Sequence, residues 1–354
     1  MTLPELHLVV PGSLEQRTGG YIYDRRIMEG LRDLGWLVRV HSLQGRFPGP
    51  DPEAEQALEA VFSGLPDGSR VVIDGLALGG LPSPAARHGH RLVLIGLVHH
   101  PLHEETGLSP ERAAELKALE RTALQSCRGL IATSSFTAER LRDWLKPPPP
   151  ARVVVPGIAS VVADGPSSRQ TPQPLLLCVG SLVRRKGQDL LVQALARLRD
   201  RAWHCLLAGS ASRDPAFAAQ LGAQIMRLGL ESRVELLGEC SEPALEALYQ
   251  RADVFVLPAW YEGYGMAFTE AMAHGLPVIA TTGGAVPHTV PATAGLLVPP
   301  GDVDALADAL TRALDDSALR ARLAQGAWLH ARTLPDWEQA AGRFAVALQE
   351  LAAS

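Results

Sequence analysis

Val254-Phe255-Val256-Leu257 runs into Pro258-Ala259-Trp260-Tyr261-Glu262-Gly263-Tyr264-Gly265, and that stretch into Met266-Ala267-Phe268-Thr269-Glu270-Ala271-Met272-Ala273. The first four residues are all apolar, as in a strand buried on both faces of a parallel sheet. The spacing predicts a helix starting near Met266. The segment between then lies at the carboxyl edge of the sheet, where open α/β folds bind ligands. Gly263 and Gly265 let the backbone approach a ligand closely. The free N–H groups and positive dipole end of a helix starting at Met266 suit a pyrophosphate, with Tyr264 beside it. Glu262 falls in the loop and Glu270 about one turn into the helix. Carboxylates so placed can hydrogen-bond two sets of hydroxyls on either side of that phosphate. Either glutamate alone would read as an ordinary surface acid; the complete string does not.

Outward from this stretch, short runs rich in Val, Leu and Ile recur at 175–179, 204–208, 234–237, 278–280 and 296–298. In the first half they lie at 6–10, 37–41, 71–74, 92–98, 130–133 and 153–155. Amphipathic stretches separate them. Residues 189–198 place Leu190, Leu191, Ala194, Leu195 and Leu198 on one helical face. Ser109-Pro110-Glu111 reads as an N-cap, a first-turn proline and an acid that suits the helix dipole. A chain of 354 residues has room for about two domains. The repeated alternation gives the fold class: α/β, two Rossmann-like doubly wound parallel-sheet domains facing a cleft. Expected boundaries are 1–160 for the first domain, 161–174 for a linker and 175–336 for the second domain. A last helix, 337–354, is expected to cross back to the first.

A second signal is Val179-Gly180-Ser181-Leu182-Val183-Arg184-Arg185-Lys186-Gly187. A glycine turn with clustered cations, after a strand and before a helix, is a phosphate cradle in physical terms. Only 3 of the 33 basic residues are lysines, so Lys186 suggests a need for a compact ammonium. In the first half, Thr18-Gly19-Gly20-Tyr21 precedes the helical pattern at 27–34 and permits a tight loop beside a ligand. No G-x-G-x-x-G follows the first strand, which counts against a dinucleotide dehydrogenase. His99 and His100 follow the run at 92–98, again at a strand's carboxyl end, and His99 is the first residue past it. Ser134 and Ser135 read as helix N-caps.

The second-half motifs resemble the retaining glycosyltransferases of family 4, marked by two glutamates separated by seven residues. The resemblance covers most of the chain. It implies the GT-B fold and retaining transfer of a sugar from a nucleotide-diphosphate sugar to an acceptor that the sequence does not identify. It assigns Glu262 to the donor sugar, Glu270 to the ribose and Lys186 to the diphosphate. Many members carry Arg where this chain has Ser181, so Arg184 or Arg185 is left to supply the second cation. It places Gly20 in a loop that meets the donor phosphate, and His99 near the anomeric carbon and the acceptor. Members often have an acid shortly after the double glycine that corresponds to Gly283-Gly284. Here Pro287-His288 stands there, and the role of His288 stays open.

Composition narrows the alternatives. Apolar residues make up 47% and charged residues 20%, with both signs mixed, which excludes a disordered chain. The net charge of −5 gives a nucleic-acid partner no electrostatic support. Cys127, Cys178, Cys205 and Cys240 lack metal-ligand spacing and read as buried free thiols. The N-terminus lacks the features of a signal peptide, and no apolar run approaches the ~20 residues of a spanning helix. A cytoplasmic protein is expected, with peripheral membrane contact left open. Asp302-Val303-Asp304 looks like a metal-binding D-x-D but reads as a helix start. No metal and no cofactor are therefore expected, the sugar nucleotide being a co-substrate. Two other readings share the architecture: a non-catalytic sugar-nucleotide-binding partner and a sugar-nucleotide epimerase.

Overall fold

The computed structural model describes residues 3–159, 165–166 and 173–353. The stretch expected as a linker, 161–174, lies outside the described residues except at 165–166 and 173–174. The chain divides into two units, Met1–Gly157 with Pro335–Ser354, and Ile158–Leu334.

The first unit holds one parallel six-stranded sheet. Its strands are β1 (Glu5–Pro11), β2 (Leu37–Leu43), β3 (Arg70–Asp74), β4 (Val93–Val98), β5 (Gly129–Ala132) and β6 (Ala151–Val153), in the order β2-β1-β3-β4-β5-β6. Strands β1, β3, β4 and β5 are almost wholly buried, because helices cover both faces. Each run read from the sequence in this half is a strand, shifted by no more than two residues at either end. Ser109 caps the helix Pro110–Gln125 through Arg112 N–H, and Ser134 caps Ser135–Trp144 through Thr137 N–H, 3.0 Å away. Ser135 is the first residue of that helix, not a second cap.

The second unit repeats the design with β7 (Leu175–Val179), β8 (His204–Ala208), β9 (Val234–Gly238), β10 (Val254–Leu257), β11 (Val278–Thr281) and β12 (Gly295–Val298), in the order β12-β11-β10-β7-β8-β9. The helix expected at 189–198 is Gln188–Ala196, and Leu190, Leu191, Ala194 and Leu195 are buried as its pattern requires. Cys178 and Cys205 lie inside this core as free thiols; Cys127 is buried in the first unit and Cys240 is half-buried. Asp302 caps the helix Val303–Asp315 through Ala305 N–H at 2.9 Å, and Asp304 pairs with Arg197. Among the described residues no helix is long and apolar enough to cross a membrane.

Both sheets reverse their winding at one place. In the first, the chain moves from β1 outward to β2, then returns to place β3 on the other side of β1. In the second, β7 is followed outward by β8 and β9, and β10 returns to its other side. The carboxyl ends of β1 and β3, and of β7 and β10, are therefore the topological switch points, where no helix connection closes the crevice.

The last helix, Trp337–Ala353, buries Ala340, Ala341, Phe344, Ala347, Leu348 and Leu351 along one stripe. It packs in the first unit against the helix Gly19–Asp33 and β5. Gly30, inside Gly19–Asp33, marks the closest approach: a Cβ there would lie 2.5 Å from the Cβ of Ala341. Gly costs about 1 kcal/mol in a helix interior relative to Ala, and the packing of the two backbones offsets it. Gly30→Val should force the helices apart and cost ~1–3 kcal/mol by overpacking. Urea unfolding should show an earlier transition for the first unit. An unshifted midpoint would mean that the contact is too plastic to matter.

Candidate functional site

In the second unit the segments after β7 and β10 meet side by side at the switch point. Arg185 O accepts from Trp260 N–H at 2.8 Å, and Arg185 Nη1 donates to Tyr261 O at 2.7 Å. The loop between them and the helix Met266–Ala273 is pinned from behind by the double glycine after β11. A Cβ on Gly283 would lie 2.3 Å from Trp260 O, and one on Gly284 2.3 Å from Glu262 O, so neither position admits a side chain. Ala285 N–H donates to Glu262 O at 2.8 Å, and Thr289 Oγ1 to Tyr264 O at 2.6 Å. Burial pushes the Tyr264 phenol up to about 12.

This backing holds Glu262 with only 6% of its surface exposed. Lys186 Nζ donates to Glu262 Oε1 at 2.5 Å, and Arg185 Nη1 lies 3.5 Å from the same oxygen. The stem of Lys186 passes over Gly180, where a Cβ would meet Lys186 Cδ at 3.4 Å. Two residues 76 apart in sequence, selected for different reasons, are thus one ion pair. Of the two candidate arginines, only Arg185 reaches this pair. Arg184 points elsewhere: its Nη2 donates to Gln220 Oε1 at 2.7 Å and its guanidinium lies over the Phe217 ring, because the 3-10 turn Arg184–Lys186 points adjacent side chains in different directions. Ser181 O and Gly180 O accept from Gln188 Nε2, which stiffens the turn.

The helix predicted to start near Met266 is Met266–Ala273. Gly265 caps it at φ 91°, in the left-handed region that an L side chain avoids; a Cβ there would strike the Phe268 ring at 2.4 Å. Glu270, one turn in, accepts a hydrogen bond from Tyr249 OH at 2.8 Å. Tyr249 is buried and stacks on His274, whose Nδ1 faces Glu270 O at 2.8 Å. Burial holds the Glu270 carboxyl above its ordinary range, against the opposing pull of the Tyr249 hydrogen bond. Sequence reasoning missed Tyr249, since nothing in the motif points to a tyrosine 21 residues earlier.

In the first unit, His99 lies just beyond β4 with its side chain 21% exposed. Its Nε2 lies 3.2 Å from Asp24 Oδ1, within hydrogen-bond distance, and 3.5 Å from Asp74 Oδ2. Asp24 comes from the helix after β1, and Asp74 ends β3 and accepts from Leu76 N–H at 2.6 Å. Both carboxylates are buried. Burial first, then the Asp74 charge, pushes Asp24 up to about 7; the two carboxylates outweigh burial and lift His99 to about 10. Neither aspartate was singled out in the sequence, because they stand 50 residues apart in unremarkable settings. Gly20 is a correction. It lies in the first turn of the helix Gly19–Asp33 and not in a loop before it, since the helix starts right after the extended residue Thr18. A Cβ on Gly20 would come 3.3 Å from the His99 ring, so the glycine makes room for the imidazole.

His100 turns away to Glu105 at 3.2 Å. His288 lies in the short helix Val286–Thr289 behind the Glu262 loop. Among the described residues, the group with spacing for a metal ion is Asp24, Asp74 and His99, whose ligand atoms lie within 4.8 Å of one another.

Residues 164–328 match the family described as glycosyl transferases group 1. Over 274 residues the chain is 28% identical to D-inositol 3-phosphate glycosyltransferase of Corynebacterium aurimucosum, covering 73% of this chain and 64% of that protein. The chain thus spans less than two thirds of the length of this curated relative. Sucrose-phosphate synthase of Thermosynechococcus elongatus superposes with a TM-score of 0.83 at 24% identity, covering 99% of this chain and 100% of that one. HepE of Anabaena in complex with UDP and glucose gives a TM-score of 0.76 at 21% identity, covering 98% and 99%. The two-unit α/β fold of this chain is the one these proteins share, the GT-B fold.

Glu270 provides a test of the site's electrostatics. A carboxyl raised on folding contributes its stability below the ordinary carboxylate range and loses it as pH rises through the folded value. At pH 7 the charge therefore opposes folding of the unliganded chain. Glu270→Gln keeps an acceptor for Tyr249 and removes the charge, so it should raise the thermal midpoint at pH 7. The gain should vanish below about pH 4. A lowered midpoint at pH 7 would show that the Tyr249 hydrogen bond to a charged acceptor outweighs burial.

Proposed function

We propose that this chain, whose second unit carries the group 1 glycosyl transferase pattern, transfers a sugar from a nucleoside-diphosphate sugar to an acceptor with retention of anomeric configuration. The observation that carries the reading is the Lys186–Glu262 pair at the β7/β10 switch point, directly before the amino end of the helix Met266–Ala273. The diphosphate would take the ammonium of Lys186, the guanidinium of Arg185 and the first N–H groups of that helix. Glu270 would take the ribose hydroxyls and Glu262 the sugar hydroxyls. A relative named for glycosyl transfer and a structural neighbour that holds UDP and glucose support the class of reaction in this reading. His99, in the first unit, is assigned to the sugar and acceptor end.

Catalysis on this reading is positioning plus stabilisation of a leaving group. As the glycosidic bond breaks, negative charge collects on the diphosphate, and fixed cations and backbone dipoles stabilise that charge more than the ground state. Without a donor, Lys186 is neutralised by Glu262. An arriving diphosphate draws on Lys186 and frees Glu262 to accept from sugar hydroxyls, so donor binding and sugar orientation are coupled in one ion pair. The same cations make a divalent metal unnecessary.

Three variants separate these roles. Glu270→Ala should weaken binding of the bare nucleoside diphosphate by ~1.5–3 kcal/mol, the scale of a hydrogen bond to a charged group. Glu262→Gln should leave that binding unchanged or tighter, since it releases Lys186, while turnover falls because the sugar loses its orientation. Lys186→Ala should damage turnover more than donor binding. Calorimetry with UDP, GDP and ADP, alongside release of the diphosphate from UDP-glucose, GDP-mannose and ADP-glucose in the presence of acceptor sugars, reads all three. Equal losses of nucleotide affinity in both glutamate variants would reverse their assignment, and unchanged turnover in all three would sink the reading.

A separate assay addresses the metal. Turnover should be unaffected by excess EDTA. Activity abolished by EDTA and restored by Mg²⁺ or Mn²⁺ would falsify the metal-independent part of the proposal.

A further inference from the structure

The first sheet has its own switch point, between the carboxyl ends of β1 and β3, and the cluster Asp24, Asp74 and His99 gathers there. Burying two carboxylates a few ångströms apart is costly unless a cation or a proton sits between them. The imidazole of His99 fills that place: Nε2 faces Asp24 Oδ1 at 3.2 Å and Asp74 Oδ2 at 3.5 Å. The rest of the residue is also fixed. Thr133 Oγ1 and Thr137 Oγ1 donate to His99 O at 3.4 and 3.3 Å, and the Tyr23 ring meets the imidazole edge-on at 5.4 Å. Tyr23 is itself held by a hydrogen bond from its OH to Val154 O at 2.9 Å. Gly20 leaves the Cδ2–Nε2 edge of the ring uncovered by any side chain of its own. Nδ1 has no hydrogen-bond partner among the described residues, and the ring is 21% exposed.

We propose that Asp24 and Asp74 are positioning residues that hold His99 as an imidazolium, clamped through Nε2–H, with Nδ1–H as a fixed donor at the edge of the first sheet. The group it grips is an oxygen of the sugar or of the acceptor, which rests on the function proposed above. A neutral imidazole donates through one nitrogen only. If Nε2–H is committed to the carboxylates, Nδ1 of the neutral ring is an acceptor, and only the cation donates at both ends. The aspartates thereby choose the sign of the hydrogen bond that His99 offers.

The charge balance has three members and one neighbour. Asp74 accepts from Leu76 N–H and faces the imidazole of His99 at 3.5 Å, which favours its charged form. Asp24 Oδ2 is buried with no hydrogen-bond partner among the described residues, and burial beside Asp74 raises the Asp24 carboxyl. Tyr23 is buried and stays neutral, its phenol pushed up by burial and by Asp24. Below about pH 7 an imidazolium, one carboxylate and one carboxylic acid sum to zero, a state that a buried site tolerates; above it Asp24 ionises as well, and both carboxylates face the imidazolium.

Histidine-selective isotope labelling and NMR on the intact chain test this directly. In the wild-type chain the His99 resonances should report protons on both nitrogens through pH 8. In Asp74→Asn and Asp24→Asn the titration should fall toward the ordinary value of ~6.5. Turnover is followed with whichever of UDP-glucose, GDP-mannose and ADP-glucose the wild-type chain accepts. In both variants kcat should drop roughly 10- to 100-fold at pH 8 with the donor KM little changed, and an alkaline limb absent from the wild type should enter the pH profile. The other histidine resonances in the same spectra report whether each variant is folded. A neutral His99 at pH 7 in the wild type overturns the proposal, as does wild-type kcat in both folded variants. Stoichiometric zinc sulfate binding that shifts His99 and is lost in Asp24→Asn would overturn it as well, by making the cluster a cation site. If none of the three donors is turned over, the function proposed above fails, while the titration still decides whether the carboxylates hold an imidazolium.

Discussion

Parallel strands covered by helices on both faces leave a polar side chain few places to go. The strands β5, β10 and β11 are buried along their whole length. Charge and hydrogen-bonding capacity are pushed to the strand ends, and each sheet has one crevice there that no connection covers. The candidate site residues lie at those crevices. Lys186, Glu262 and Glu270 follow β7 and β10, while Asp24, Asp74 and His99 follow or end β1, β3 and β4. The topology fixes where the chemistry can be, and the loops fix what it is.

At the second crevice the decisive feature is the backing of the Glu262 loop. A carboxylate with 6% exposure is held where it is only because Gly283 and Gly284 let two backbone segments touch and Ala285 N–H fixes the Glu262 carbonyl. Its charge is then met by Lys186 and Arg185. A buried ion pair of this kind contributes little net stability, because desolvation offsets most of the attraction. On the function proposed above, its value would lie in holding two charges ready for a more strongly charged ligand to reorganise.

At the first crevice the same physics takes another form. Two buried carboxylates around one imidazole tie three secondary-structure elements to a single residue. Burial raises Asp24, and the carboxylates raise His99.

The architecture was written in local pattern. The central strands follow from short apolar runs, and the helix at Met266 follows from the glycine before it, because burial on both faces and left-handed backbone are demands that single residues answer; the exposed edge strand β6 shares only Val153 with the run read at 153–155. Glu262, Glu270, Lys186 and His99 could be selected on the same basis, as polar residues placed just past an apolar run. Their partners could not. Tyr249 for Glu270, Asp24 and Asp74 for His99, and Arg185 for Glu262 depend on which residues distant in the chain the sheet order brings to one edge. Gly20 shows the same limit: a glycine pair before a helical pattern reads as a loop, yet the backbone is already helical there and the missing side chain makes room for a ring 79 residues later, at 3.3 Å. The sequence by itself determined where strands end and polar groups emerge, since that is periodicity along the chain. Only the tertiary structure decided which charges face one another, since electrostatic pairing acts across space and leaves no periodicity to read.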